Sequence, residues 1–206
     1  MNTKEQFVIT INRELGSGGR TIGELLAKKL GVPYYDKVVI QALTEKYHLS
    51  VEEIETIKGR EQDWWRQFKM VLGLVTENDS VINEPDLFNS RDIFRAEMQI
   101  LKDVASKGSC IVAGRSCFFA FRDHPNCLNI LITAPMEQRI KRITSKQPLT
   151  PAEAKKTILE VDEMRENYVQ KFTGTSRYNT KNYDLVINKN DKTDEEIADV
   201  IMKYLE

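Results

Sequence analysis

The chain has 206 residues, 41% apolar and 30% charged, with a formal net charge of −1. That is the size and balance of one globular domain that can bury a full core without disulfides or a structural metal. A charge so close to zero removes any global attraction for nucleic acid or an anionic membrane, so affinity for anions has to be built locally. Three cysteines in no scaffold spacing and two histidines outside any Cys/His ligand pattern argue against a disulfide framework and a zinc site. The N-terminus lacks a signal-peptide pattern, and no apolar run reaches the ~18–20 residues of a membrane span. The expected compartment is the cytoplasm.

Phe7–Ile11 (FVITI) is short, β-branched and nearly all apolar, the pattern of a strand buried on both faces in a parallel sheet. A Gly-rich turn follows, then a helix from Thr21 with Ile22, Leu25, Leu26 and Leu30 on one face, stopped by Gly31 and Pro33. Val32–Tyr35 reads as a second strand. Asp36 can cap a helix through Ile40 and Leu43, Ser50 with Glu53 boxes another, and Trp64, Trp65, Phe68 and Leu72 give a third apolar helix face. A polar loop over 77–90 leads to a long helix over Arg91–Lys107. Cys110–Ala113 (CIVA) and Leu128–Thr133 (LNILIT) read as buried strands, the second followed by a helix from Met136 to about Ser145. Thr150-Pro151-Ala152-Glu153 is a strong helix start, and that helix runs to about Phe172. Asp184–Asn188 is the last strand, and Thr193 with Glu196 boxes the last helix.

Five short buried strands alternating with helices predict an α/β domain with a parallel sheet covered on both faces. The whole chain, 1–206, reads as one domain. The stretch from about 37 to 109 is too long for one crossover and is expected to be a helical insertion that binds substrate.

The turn between the first strand and helix carries the clearest chemical signal. Gly16, Gly18 and Gly19 allow a tight backbone that turns several N–H groups toward one point, and the helix start adds its positive dipole end. Ser17 lies within this anion cradle; Arg20 and the Thr21 hydroxyl are placed to reach phosphate oxygens. The match to Gly-x-x-x-x-Gly-Lys-Ser/Thr is imperfect. Aligned by charge, Gly19-Arg20-Thr21 takes the Gly-Lys-Thr place. Aligned by the following helix, Gly18 is the second Gly, Gly19 replaces the Lys, and Arg13 stands at the first Gly. Neither register supplies the lysine, and a planar guanidinium is no simple substitute for an ammonium.

Ile9 to Gly23 (ITINRELGSGGRTIG), followed by Leu25-Leu-Ala-Lys-Lys-Leu-Gly-Val-Pro-Tyr-Tyr-Asp36, resembles the cytidylate kinase-like family, a branch of the P-loop nucleoside monophosphate kinases. Cys110–Arg115, Ala134–Arg142, Asp162–Arg165 and Asn182–Asn188 add matches in the expected order. The resemblance implies a three-layer P-loop NTPase fold with strand order 2-3-1-4-5, a helical insertion binding the nucleoside monophosphate, and a lid at about 143–160. It implies ATP with Mg²⁺ as donor and CMP or dCMP as first acceptor; the charge balance and the lack of a long apolar run lead to the expectation of no nucleic-acid or membrane partner. A homodimer is left open.

Phosphoryl transfer needs phosphates held in line and their charge neutralised, so cations meeting in one cleft are the expected catalytic groups: Arg20, Arg139, Arg142 and Arg165. By resemblance Arg139 and Arg142, three apart on one helix, meet ATP's phosphates; a solvated basic face is the plainer reading. Arg115 follows a buried strand at its carboxyl end, where ligands sit in open α/β sheets, and by resemblance grips the acceptor. The family usually has Asp after that Arg; here it is Ser116. Asp162 and Arg165 clamp the acceptor by resemblance, or form an intrahelical ion pair. Asp36 contacts the acceptor or caps a helix, and Arg95 faces the acceptor from the helix after the polar loop. No residue is assigned as a direct metal ligand, although Thr21 can reach one through water. Two other readings stand beside the nucleotide kinase: a P-loop kinase for another small acceptor, motivated by Ser116, and a catalytically weak ATP-binding regulator, motivated by the missing lysine.

Overall fold

The structure is a computed structural model and describes residues 1–36, 90–114 and 116–206. Its centre is a five-stranded sheet of β1 (Val8–Arg13), β2 (Tyr34–Tyr35), β3 (Cys110–Ala113), β4 (Cys127–Thr133) and β5 (Leu185–Asn188). The order is β2-β3-β1-β4-β5 and every pairing is parallel, as the resemblance implied. Val8 lies opposite Cys110 on one side and Cys127 on the other, which puts β1 at the middle.

Burial on both faces explains why β1, β3 and β4 read as nearly unbroken apolar runs rather than as alternating ones. Ile9 and Ile11 of β1 join Ile111, Ile130 and Ile132 in one core, closed by Ile22 and Leu26 of α1 (Gly19–Leu30) and Ile197 and Ile201 of α6 (Asp194–Leu205). Val8, Cys110 and Val112 point the other way, onto Ile100 and Leu101 of α2 (Ser90–Ser106) and Cys117 and Phe121 at α3 (Cys117–Ala120). Successive side chains thus feed opposite layers, and the result is three layers. β2 and β5 are the edges, and β5 is not the buried strand expected: as an edge it is covered on one face only, with Leu185 and Ile187 packed on the core and Val186 exposed.

Two helices flank the loop end of the sheet. In α4 (Met136–Thr144), Ile143 packs with Ala154 and Ile158 of α5 (Pro151–Thr173) and with Leu15 of the Gly-rich turn. The reciprocal capping boxes expected at Thr150/Glu153 and Thr193/Glu196 both form. The segment 143–160, expected as a lid, holds the end of α4, a short turn and the first turns of α5. Helix α2, at the end of the expected insertion, lies against the sheet. The three helices expected between Asp36 and Val75, with Trp64 and Trp65, lie outside the described residues. Helix α3 was not anticipated. Ser116 precedes it with φ +53 and provides no side-chain cap, so no cap signal marks its start.

Candidate functional site

Strand β1 ends at Arg13, and Glu14–Gly18 carries the chain into α1. Ser17 donates from both N–H and Oγ to the Glu14 carbonyl, at 3.3 and 2.9 Å, which closes the turn. Gly16 has φ +82 and Gly18 φ +89, a region where side chains are strained. Space forbids them as well: a Cβ at Gly16 would lie 2.9 Å from the Arg139 carbonyl oxygen, and one at Gly18 would lie 2.5 Å from Asp194 Oδ1. The first intrahelical bond of α1 runs from Ile22 N–H to the Gly18 carbonyl, 3.0 Å. The N–H groups of Gly19, Arg20 and Thr21, at the start of the helix, precede that bond and need partners from outside the helix, which is the arrangement that receives anions.

Arginines close on this loop from several elements. Arg139 of α4, 5% exposed, donates Nε to the Leu15 carbonyl at 2.8 Å and pairs with Glu14 at 3.3 Å and with Asp162. Glu14 also accepts from the Ala134 N–H at 3.1 Å, tying the loop to the end of β4. Arg142, one turn on, donates to Thr21 Oγ1 at 3.0 Å and to both Asp194 carboxylate oxygens at 3.1 and 2.7 Å. Lys189, just after β5, meets the same Asp194.

Across the loop, Asp162 of α5 accepts from the Leu15 N–H at 3.0 Å and holds Arg139, Arg165 (3.6 Å) and Arg177 (3.5 Å). Arg165 and Arg177 also donate to the Arg13 carbonyl. The Arg13 side chain leaves this cluster and pairs with Asp36 beyond β2 at 2.5 Å. Among the described residues five cations (Arg139, Arg142, Arg165, Arg177, Lys189) therefore face three carboxylates (Glu14, Asp162, Asp194) at the loop, while Arg13 pairs with Asp36 beside it. An excess of positive charge in a mostly buried cluster favours an anionic ligand.

The proton affinities register the same field. Burial, then the neighbouring Arg13 and Arg177, push Arg165 down to about 9. Burial also opposes the charge on Arg13, but Asp36 outweighs it and raises that guanidinium above its usual value. Asp194 is lowered: burial acts against its charge, and hydrogen bonds from Arg142 and Lys189 overcome this.

The structure thus brings Gly16, Ser17, Gly18, Gly19, Thr21, Arg139, Arg142, Asp162 and Arg165 together at one loop. Arg20 lies on the outer face of α1, largely exposed, 3.1 Å from Glu24 and 3.7 Å from Asp36. Asp36 meets Arg13, and Arg95 is exposed on α2. Arg115 is outside the described residues; its neighbours Gly114 and Ser116 both have positive φ, +78 and +53. Sequence reasoning did not assign Arg13, Glu14, Arg177, Lys189 or Asp194 to the site. Arg177 lies in a turn with no local motif. Asp194 carried a faint signal, as an acid in the first turn of the helix that follows β5. A cavity of about 290 Å³ flanks the loop on the α4 side, lined among others by Ser17, Gln138, Arg142 and Lys189.

Sheet order, loop and flanking helices define a P-loop kinase fold. The chain belongs to the cytidylate kinase-like family, whose sequence pattern it matches over residues 8–191. It is similar to a cytidylate kinase of Ignicoccus hospitalis, 23% identical over 199 residues that cover 96% of this chain and 98% of the relative. Among solved structures it resembles a protein from Eubacterium ventriosum with a TM-score of 0.71, 19% identity, and 97% and 98% of the two chains covered. A shikimate kinase from Bacteroides thetaiotaomicron has a TM-score of 0.56 at 16% identity, with the same coverage. Family and fold together support a kinase, a transferase that uses ATP. Among the described residues, no helix is long and apolar enough to cross a membrane.

Proposed function

We propose that this protein transfers the γ-phosphoryl group of ATP to a nucleoside monophosphate, with CMP or dCMP the first acceptors to test. One observation carries the reading: guanidinium groups from α4, α5 and the segment after α5 meet around a single glycine-rich loop at the end of a parallel sheet. In this reading the loop N–H groups and the start of α1 take the donor phosphates. The 290 Å³ cavity beside Arg142 and Lys189 takes the rest of the donor nucleotide. Arg165 and Arg177, with Arg115, take the acceptor phosphate on the other side, Asp36 offers its carboxylate to a donor group of the acceptor, and Arg20 and Arg95 approach from the rim.

The reaction needs no protein nucleophile. Two anions have to be brought into line and their repulsion relieved, which is what fixed guanidinium groups supply. Among the described residues no group of three or more His, Cys, Asp or Glu is placed to hold a metal. The carboxylates at the loop are engaged by arginine or lysine, and the Thr21 hydroxyl by Arg142. Magnesium is therefore treated as part of the Mg-ATP substrate, held by phosphates and water.

The test is diphosphate formation with Mg-ATP across CMP, dCMP, UMP, AMP and GMP. Turnover strongest with CMP or dCMP is expected. Failure with all five removes the nucleotide-kinase reading. A second reading, transfer to another small acceptor, is favoured by Ser116, a buried residue whose Oγ has no hydrogen-bond partner among the described residues. Thermal-shift screening against small sugars and hydroxy acids separates the two readings, because a true ligand stabilises the fold by mass action.

A further inference from the structure

The loop lacks the lysine that a phosphate loop places at the start of its helix, and the structure shows what fills that space. Helix α1 begins at Gly19, directly after Gly18, so Gly19 holds the lysine's place and Arg13 the place of the first glycine. The two departures are reciprocal: one position loses a cation and the other gains one. They also meet in space. A Cβ on Gly19 would lie 2.5 Å from Arg13 Cβ and 3.0 Å from its Cγ, so the arginine stem occupies the volume in which a lysine stem would begin.

Beyond that point the Arg13 guanidinium passes against Gly114 at the end of β3, where a Cβ would collide with Nη1, and reaches Asp36 just past β2. Glycines at 19 and 114 leave a channel from the end of β1 to the ends of β3 and β2, and Arg13 runs through it. Its course lies between the phosphate loop and Asp36, the residue assigned above to the acceptor side. Arg20 lies by contrast on the solvent face of α1.

We infer that Arg13 does the work of the missing lysine, its guanidinium contacting the phosphoryl group in flight between ATP and acceptor. The inference rests on the kinase reading. In the step itself an acceptor phosphate oxygen forms the new bond to the γ-phosphorus as the bond from that phosphorus to the β–γ bridging oxygen breaks. ADP leaves with the electron pair, and a dianionic acceptor phosphate brings no proton to dispose of. Arg13 stays protonated throughout. The planar fork spans two oxygens where an ammonium meets one point, so Arg13→Lys is not a neutral change.

The experiment uses the full chain. Arg13→Met, Arg13→Lys and the exchange Arg13→Gly/Gly19→Lys are compared with wild type in kcat for the best acceptor and in calorimetric Kd for ATP and ADP. A cation at the transferring group is worth on the order of 10³ or more in rate, so Arg13→Met should lose about that factor in kcat. It should also bring the Kd ratio of ATP to ADP toward one, and the exchange variant should regain at least ~10-fold over Arg13→Met. A strut that only joins β1 to Asp36 would lower thermal stability and leave both the nucleotide ratio and the rescue unmoved; that result overturns the inference. If Arg13→Met does not fold, the exchange variant decides, because it restores a lysine without the arginine: activity supports the inference, and a folded but inactive protein overturns it. If wild type transfers phosphate to no acceptor, the kinase reading falls separately. The ATP/ADP ratio still rules on Arg13, which stands as a γ-phosphate contact if Arg13→Met abolishes a wild-type preference for ATP and falls if it does not.

Discussion

Asp162 is the residue on which the geometry of the loop turns. It is 7% exposed, bonds the Leu15 N–H, and faces Arg139, Arg165 and Arg177 at once. A buried carboxylate among cations is costly to desolvate, so it contributes mainly by compensating charges that would otherwise repel one another. Replacing it with Asn keeps the shape and removes the charge. The expected cost of Asp162→Asn is about 3–5 kcal/mol, read as a lower urea midpoint with unchanged slope. ATP affinity should fall too, because the Leu15 N–H contact fixes the loop. A loss under about 1 kcal/mol would mean that the arginines are compensated elsewhere. The sequence offered Asp162 and Arg165 as neighbours three apart on a helix. It did not show that the carboxylate also reaches back to residue 15 and across to Arg177.

At the scale of elements, α5 matters because it carries Asp162 and Arg165 to the loop. Its start is set locally: Thr150 accepts from the Glu153 N–H at 3.3 Å, and the Glu153 carboxylate accepts from the Thr150 N–H at 2.8 Å. Ile143, Ala154 and Ile158 then pack this first stretch against α4 and Leu15. Thr150→Ala should cost about 1 kcal/mol, and native-state hydrogen exchange should show the loss confined to the first turns of α5. A uniform loss across the sheet would contradict that placement. Both capping boxes were legible because their partners are three residues apart. Helix α3 was not, because its four residues lie in a turn from β3 whose geometry rests on positive φ at Gly114 and Ser116, and no side-chain pattern encodes that.

For the molecule as a whole, Asp194 gives a handle on pH. Its folded-state proton affinity is lowered, with burial opposed and overcome by Arg142 and Lys189. Between the folded and unfolded values the unfolded chain binds more protons, so stability rises with pH there. The contribution is complete above the ordinary carboxylate value of ~3.9 and is lost as pH falls through the folded value. Asp194→Asn should therefore be less stable than wild type by about 1–3 kcal/mol at pH 7, with the gap closing below about pH 4. Urea unfolding at several pH values measures it, and a gap that persists unchanged at pH 3 would assign the loss to packing instead of charge.

The succession of described strands and helices along the chain, the glycine turn and the capping boxes at Thr150 and Thr193 were determined by the sequence alone, because each depends on residues within a few positions of one another and on the solvent each face meets. Charge pairing over long separations belonged to the tertiary structure. Arg13 meets Asp36, Arg142 meets Asp194, and Arg177 meets Asp162; the parallel sheet brings the ends of its strands, and hence these groups, to one edge. Spacing along the chain carries no record of which guanidinium lies over which glycine. That is why an arginine at the end of β1, and not one inside the helix pattern, came to occupy the space the glycine at position 19 leaves open.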